Sequence, residues 1–249
     1  MVEYRFDVFF RIFAHAAGYA SQFIVVWIII DRFESLAGWK SYEVMFLMGF
    51  NLLSYAMAGS FMFNFSRLLP ARIQSGELDE IFIKPLNPFL YLIFKDFAGY
   101  FGHFILSITI IVISIIKLGI KLSIIKIMFF VITLLGAMLI QMAAFVFTSV
   151  PAFWLVKNNS LMDVFLWQLK SFINYPLSIY NKTVQILFTL IVPFGFINFY
   201  PSQYFLSKND FLMFHPVLQY LTPVIGVVLI ISAYRFWLFG LNHYKSTGS

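Results

Sequence analysis

The sequence ARIQSGELDEIFIKPLNPF, Ala71 to Phe89, interrupts an otherwise apolar chain. It holds five charged side chains and two prolines. Gly76 permits a sharp turn, and Pro85 and Pro88 end any long helix and redirect the chain. The stretch therefore predicts a short charged element, bounded by glycine and proline, outside the apolar body of the protein. Composition alone leaves a plain solvated loop as the alternative.

The rest of the chain is too apolar for a water-soluble protein. Of 249 residues, 61% are hydrophobic and 11% are charged, whereas an ordinary globular domain has about 25% charged residues. A soluble chain with 33 Phe would have too little polar surface to cover its core. Composition therefore indicates that lipid is the solvent of this protein.

Six segments are apolar and long enough to cross a bilayer, which takes about 20 residues. We place them at Ala14–Ile30, Val44–Leu69, Phe97–Leu118, Ile124–Val150, Val184–Phe205 and Tyr220–Leu241. The sequence thus predicts an all-α polytopic membrane protein with six transmembrane helices, forming one domain over residues 1–249.

Two further segments have the pattern of helices that lie on the membrane surface. Residues 1–14 place Glu3, Asp7 and Arg11 four apart, with phenylalanines on the remaining surface. A simple extension of the first span is the alternative for this segment. Residues 158–182 are too polar to span, but they are amphipathic, with Asp163 and Lys170 on the wet side, and this pattern predicts an interfacial element.

The distribution of basic residues predicts the orientation. With the N-terminus inside, eleven Lys and Arg residues fall on the cytoplasmic side and six outside, which favours two cytoplasmic termini. Lys117, Lys121 and Lys126 crowd one outer connection and are the main argument against this topology.

Several kinds of chemistry are missing from the sequence. The chain has no Cys, which excludes a thiol nucleophile, and no G-x-x-x-x-G-K-[ST] motif that would bind ATP phosphates. Its four His residues are scattered, without the spacing of metal ligands. The net charge is +6, and the basic residues are spread through the connections between spans. We therefore expect these residues to contact lipid headgroups and not nucleic acid. We expect no enzyme, no metal and no cofactor bound by this chain.

Two motifs resemble a known family. The sequence SGELDEIFIKPLNPFLYLIFKDF contains Leu78-Asp79 and Lys84-Pro85-Leu86, and PFGFINFYPSQYFL, Pro193 to Leu206, contains Tyr200-Pro201. Both are similar to signature elements of ABC-2 type exporter permeases of bacteria. The two motifs occur in the expected order and, with six predicted spans, the resemblance covers most of the chain.

The resemblance implies a coupling helix between spans two and three that docks on a cytoplasmic ATPase. The residues at this position are Arg72, Glu77, Leu78, Asp79, Glu80, Ile81 and Phe82, whose acidic members would meet basic groups while Leu78, Ile81 and Phe82 fill an apolar slot. Two ATPase subunits would hydrolyse ATP with Mg²⁺ for this chain. A second permease, identical or different, would complete the transporter in the bacterial cytoplasmic membrane.

The resemblance also implies a translocation path beside spans two and five, and a re-entrant external element before span six. Candidate path residues are Asn51, Tyr55, Phe188, Phe194 and Phe196. Candidate residues of an external gate are Pro193, Gly195, Asn198, Tyr200 and Pro201. Proline and glycine break a helix there, and broken backbone at membrane depth requires protein or water to satisfy it. A straight helix kinked at Pro193 is the alternative.

Together, these features predict a permease that exports an amphiphilic or hydrophobic substrate. The alternative is an ion or solute channel, or a secondary carrier, without an ATPase. No acidic residue is securely placed near the bilayer centre, which disfavours a proton-coupled carrier.

Overall fold

A computed structural model describes residues 35–155 and 163–244, with only the backbone of residues 165–167, and single helical positions at 17, 18, 21, 24 and 28. The described chain is helical, and its helices are α1 Ser41–Ser75, α2 Glu77–Phe82, α3 Pro88–Lys95, α4 Phe101–Leu118, α5 Ile124–Ser149, α6 Lys182–Ile186, α7 Phe199–Leu206 and α8 Thr222–Leu241. The predicted N-terminal surface helix and most of the predicted first span lie outside the described residues.

Helix α1 is the central helix of the fold. Its 35 residues make it about 52 Å long, so it extends well beyond a hydrocarbon core of about 30 Å. In its most apolar window 89% of the residues are buried inside the protein, against 22% in α4 and 22% in α8. Helices α4 and α8 therefore leave their Ile- and Val-rich surfaces exposed on the outside of the chain, while α1 is enclosed.

Helices α5 and α8 run in the same direction and pack backbone to backbone. A Cβ on Gly226 of α8 would lie 2.4 Å from the carbonyl oxygen of Gly136 in α5. Further along, Gly240 of α8 lies against Val150 and Phe153, which extend α5 as a short 3-10 turn. Two glycines at one crossing let the helices approach more closely than side chains permit.

The region predicted as the fifth span is broken. Helix α6 continues as a π-helical turn over Leu187–Ile191, and the chain then bends by 78° into Phe194–Leu206. Pro193 lies at this break. Because proline has no backbone N–H, the helix cannot continue through it with a complete set of hydrogen bonds. The predicted interruption at Pro193 is confirmed, and a straight helix through Val184–Phe205 is excluded.

Four helices of the described chain are long and apolar enough to cross a membrane, and the bent pair raises this number to five if it counts as one span. Helices α1, α4, α5 and α8 correspond to the predicted second, third, fourth and sixth spans. Their ends agree with the prediction within a few residues, except at both ends of α1 and at the start of α4. Helix α1 is longer than predicted by three residues at its start and six at its end. The stretch before α4 forms the separate helix α3, which Asn87 caps by accepting hydrogen bonds from the amides of Phe89 and Leu90.

Candidate functional site

The charged stretch Ala71–Phe89 folds as a helical corner. Gly76 takes a left-handed conformation, φ 74°, which ends α1 and starts α2 one residue later. Leu78 and Ile81 on one side of α2 are 0% and 2% exposed and join the core of the protein. The corner is therefore packed against the bundle and is not a free loop.

An ion pair inside the protein holds the corner. Arg72, in the last turns of α1, donates from both terminal nitrogens to the two carboxylate oxygens of Asp96, just after α3, and the Nη2–Oδ1 distance is 2.7 Å. Both side chains are at most 7% exposed. A bidentate pair of this kind fixes distance and angle together. Arg72 is thus an internal brace, and its predicted direct role in ATPase contact does not fit its burial.

Glu77 extends this brace to the surface. Its Oε1 lies 3.3 Å from Nε of Arg72 and accepts a 2.7 Å hydrogen bond from Nζ of Lys95 at the end of α3. The hydrogen bond from Lys95 lowers the pKa of Glu77 below its ordinary value. Two acids and two bases thus join the ends of α1 and α3 to the start of α2.

The C-terminal end of α8 also touches the corner. The ring of Tyr244 meets that of Phe82 edge to face at 5.5 Å. Burial raises the pKa of the Tyr244 hydroxyl, and the nearby carboxylate of Asp79 raises it further. Asn87, at the start of α3, donates a 3.0 Å hydrogen bond to the hydroxyl of Tyr234 in α8.

The outward side of the corner is an exposed ridge, which we define as Glu80, Phe82, Ile83, Lys84 and Leu86. Ile83 is 84% exposed, Leu86 57% and Phe82 38%. The sequence analysis expected Leu78, Ile81 and Phe82 to contact a partner together. Leu78 and Ile81 are already buried within this chain, so this part of the prediction is corrected, and the apolar side chains available to a partner are Phe82, Ile83 and Leu86.

A second polar cluster lies at membrane depth around α1. Asn51 donates from Nδ2 to Oδ1 of Asn174 at 2.9 Å, and Gln141 of α5 donates to the Ser54 hydroxyl at 2.6 Å. Tyr55 stacks on Phe145 of α5 at 6.0 Å between ring centroids. These contacts join α1, α5 and the chain around residue 174.

All five predicted path residues are packed inside the chain. Asn51, Tyr55, Phe188, Phe194 and Phe196 are each 4% exposed or less. Phe188 and Phe194 stack on each other across the bend at Pro193, with 6.4 Å between centroids. In this conformation, their role is to hold neighbouring segments together.

Lys170 brings a charged side chain to this cluster. Its Nζ lies 3.1 Å from the centroid of the Tyr55 ring. The chain carries it on segment 163–172, a π-helical run over Asp163–Leu169 followed by one α-helical turn, Lys170–Phe172. The sequence analysis placed Lys170 at the water interface, but its contact with the buried Tyr55 ring puts it at the depth of the middle of α1.

The predicted gate residues form the bent pair, here called the hairpin, Lys182–Ile191 and Phe194–Leu206. Thr189 and Tyr200 join its two limbs through a 2.7 Å hydrogen bond between their hydroxyls. Asn198 donates to the carbonyl oxygens of Ile173 at 2.6 Å and Leu47 at 3.2 Å. Together with Pro201, Tyr200 and Asn198 are buried, so this part of the hairpin lies within the protein.

Gly195 allows the hairpin to close. A Cβ at this position would lie 2.8 Å from the Leu177 side chain and 3.0 Å from the Phe188 carbonyl oxygen. The hairpin then ends at the N-terminal end of α1, where Asp210 accepts a 2.7 Å hydrogen bond from the Trp39 indole. Lys208 pairs with Glu43 at 2.9 Å in the same place.

Sequence reasoning missed three features of these sites. Asp96 and Arg72 are 24 residues apart with no periodic relation, so their pairing has no sequence signal. The crossing of Gly136 and Gly226 likewise joins distant segments, although single glycines in apolar helices mark such positions. Lys170 was recognisable as a charged residue among apolar ones. Because its segment is amphipathic, the pattern predicted a position at the membrane surface and not at the depth of Tyr55.

Among the residues described, no three His, Asp or Glu side chains come together as a metal site. The architecture is instead that of a helical membrane protein with a braced corner at one end and a broken hairpin toward the other. No curated protein and no solved structure matches the chain. The family model described as ABC-2 family transporter protein matches residues 16–248. The chain therefore belongs to the ABC-2 family of transporters, as a multi-pass membrane permease.

Proposed function

We propose that the protein is the membrane subunit of an ATP-driven exporter and that separate ATPase subunits dock on its exposed ridge. The observation that carries this proposal is the corner itself. The ridge exposes the apolar side chains of Phe82, Ile83 and Leu86 at the end of α2 and just after it, and a buried ion pair braces the corner that carries them. Exposed apolar anchors on a rigid element are what a docking surface requires.

The brace would carry force from the ridge into the membrane. Arg72 belongs to α1, Asp96 follows α3, and Tyr234 and Tyr244 connect the corner to α8 and its end. A displacement of α2 by an ATPase would therefore move α1 and α8 with it. Such a displacement is the kind of rigid-element movement that changes access in transporters.

We further propose that the hairpin is re-entrant, so that the predicted span Val184–Phe205 is not the fifth crossing. The hairpin contacts Trp39, just before α1, and Leu47 of α1. Its tip at Pro193 lines one cavity with Ala144 and Thr148 of α5, which flank Phe145, the stacking partner of Tyr55. The tip thus reaches the level of Tyr55, about 20 Å along α1 from Ser41.

The far end of the hairpin returns to the start of α1, since Lys208 pairs with Glu43. The fifth crossing of the membrane would then lie between the end of α5 and Asn174. This layout keeps six crossings but replaces Val184–Phe205 as the fifth.

The layout alters the charge argument for orientation. Lys170 moves to membrane depth and Lys182 to the outer side, so nine basic residues remain inside against seven outside. Cytoplasmic termini stay our proposal, now supported mainly by the need for the ridge to meet a cytoplasmic ATPase.

A cavity near the hairpin tip fits an apolar part of a substrate. Its volume is about 230 Å³, and its lining includes Ile140, Phe147, Pro193, Phe194 and Leu229. Apolar space of this kind at membrane depth suits a hydrocarbon chain. It supports an amphiphilic or hydrophobic substrate for the exporter.

The test is copurification of the ATPase from mild detergent. Replacing Ile83 and Leu86 together by Ser should abolish copurification and leave membrane insertion intact, because neither side chain contributes to the core. The matched control replaces Ile124 and Ile125, which are 78% and 72% exposed at the opposite end of the bundle, by Ser. Undiminished copurification of the Ile83/Leu86 variant would refute the ridge as the docking site. Purification of the wild-type chain without any ATPase would favour a channel or carrier.

A further inference from the structure

In the part of the chain that the structure describes, Lys170 lies at the depth of the middle of α1 and has an aromatic ring, Tyr55, as its neighbour in place of an acid. Its Nζ rests over the ring of Tyr55, and Tyr55 is 3% exposed in the middle of α1. Within residues 35–155 and 163–244, no carboxylate forms a salt bridge with Nζ of Lys170 and no acceptor forms a hydrogen bond with it. An ammonium has three donors, and the face of an aromatic ring satisfies only part of this capacity.

A lysine in this position is costly to maintain. Charged side chains inside membranes are rare, and they face other protein or a water-filled space and mark the routes of ions and substrates. The acid closest in sequence is Asp163, seven residues earlier at the exposed start of segment 163–172. Within residues 35–155 and 163–244, then, no acid accounts for the charge of Lys170, and an anion that enters from outside the chain could pair with it.

Three polar side chains are exposed on segment 163–172. Asp163, Gln168 and Ser171 are exposed there, together with Val164 and Phe172. Lipid tails offer no hydrogen bonds to such groups, so at membrane depth this face must meet a second permease or water. Lys170, which is half-buried, lies at the border between this face and the aromatic cluster around Tyr55.

We propose that Lys170 binds the anionic headgroup of the transported amphiphile, and that the polar face of segment 163–172 lines the route of that headgroup. The group recognised is an oxyanion, a phosphate or a carboxylate, because an ammonium with unused donors pairs best with such oxygens. The apolar cavity at the hairpin tip would take the hydrocarbon part. This inference rests on the permease function proposed above and adds the charge of its substrate.

The potential at the site can be measured with thiol reagents, because the chain has no Cys. Ser171→Cys, purified in phosphatidylcholine nanodiscs, is treated with an anionic and a cationic methanethiosulfonate of similar size. The ratio of the anionic to the cationic rate should fall at least about tenfold when Lys170→Gln is added, because one charge within a few ångströms has this effect at reduced dielectric. Lys170→Arg should preserve the ratio, and so should Lys121→Gln, the control at an exposed outer loop.

The second measurement is stimulation of the copurified ATPase by added amphiphiles. Lysophosphatidylglycerol should stimulate hydrolysis several-fold more than lysophosphatidylcholine, and Lys170→Gln should remove this preference while Lys170→Arg keeps it. Glycerol 3-phosphate, the anion without a chain, distinguishes a free anion from a lipid headgroup and should not stimulate.

Three results would overturn the proposal: an unchanged rate ratio in Lys170→Gln, no reaction of Ser171→Cys with either reagent, or equal stimulation by the two lipids. The thiol rates need no ATPase. Failure of the ATPase to copurify would therefore count against the permease function, while the thiol rates still decide whether Lys170 sets an anion-binding potential.

Discussion

The guanidinium of Arg72 and the carboxylate of Asp96 form a two-point contact that is almost completely enclosed by protein. Removing one partner of a buried pair leaves an uncompensated charge, which costs about 3–5 kcal/mol. We expect Asp96→Asn to lower the apparent unfolding temperature of the detergent-solubilised protein by on the order of 10 °C.

The neighbouring pair of Lys95 and Glu77 provides the control. Both side chains are more than a third exposed, so Lys95→Gln should cost less than about 1 kcal/mol. The exchange variant Arg72→Asp with Asp96→Arg should recover part of the loss. Equal unfolding temperatures for Asp96→Asn and Lys95→Gln would show that the buried pair does not brace the corner.

The crossing of α5 and α8 should tolerate no side chain at Gly226. Its Cβ would lie 2.4 Å from a backbone oxygen that cannot rotate away, so the helices must separate. We expect Gly226→Ala to destabilise the protein by about 1–3 kcal/mol, measured by thermal unfolding in detergent.

The same substitution at Gly59 is the comparison, because its Cβ would meet the Tyr100 ring at an ordinary 3.6 Å. Gly59→Ala should be neutral or slightly stabilising, since alanine favours helix more than glycine does. A Gly226→Ala variant as stable as Gly59→Ala would refute the close crossing.

The re-entrant layout predicts which residues face the outside. Single cysteines replacing Lys182 and Ser207, at the two ends of the hairpin, should both react with a membrane-impermeant thiol reagent in intact cells. A cysteine replacing Ser75, at the inner end of α1, should react only after lysis.

If the cysteine at position 182 reacts only after lysis, the hairpin crosses the membrane and is not re-entrant. Reaction at Ser75 in intact cells would invert the orientation of the protein. Cysteine at Ser246 should behave like Ser75 if the C-terminus is cytoplasmic.

Closure of the hairpin depends on Gly195. Its added Cβ would approach the backbone oxygen of Phe188 to 3.0 Å, so the two limbs must move apart. We expect Gly195→Ala to reduce ATP turnover coupled to transport several-fold while the ATPase still copurifies, because the ridge lies about 30 Å further along α1, beyond its C-terminal end. Wild-type turnover in Gly195→Ala would argue against a role of the closed hairpin in transport.

Helix breaks and spans of high hydropathy were predictable because they depend on local properties. Pro193 removes a backbone donor in any environment, and an uninterrupted apolar run such as α5 has no stable place but the bilayer. The helical corner was also visible as a charged stretch between glycine and proline. What local pattern did not indicate was which side of α2 faces inward.

By itself, the sequence determined that the protein is helical, lies in a membrane and turns sharply at Gly76 and Pro193. Only the tertiary structure decided that Leu78 and Ile81 are buried, that Arg72 pairs with Asp96, and that Lys170 lies over Tyr55. The physical reason is that hydropathy and backbone preference are properties of single residues and their neighbours. Burial and ion pairing depend instead on which distant segments the fold brings into contact.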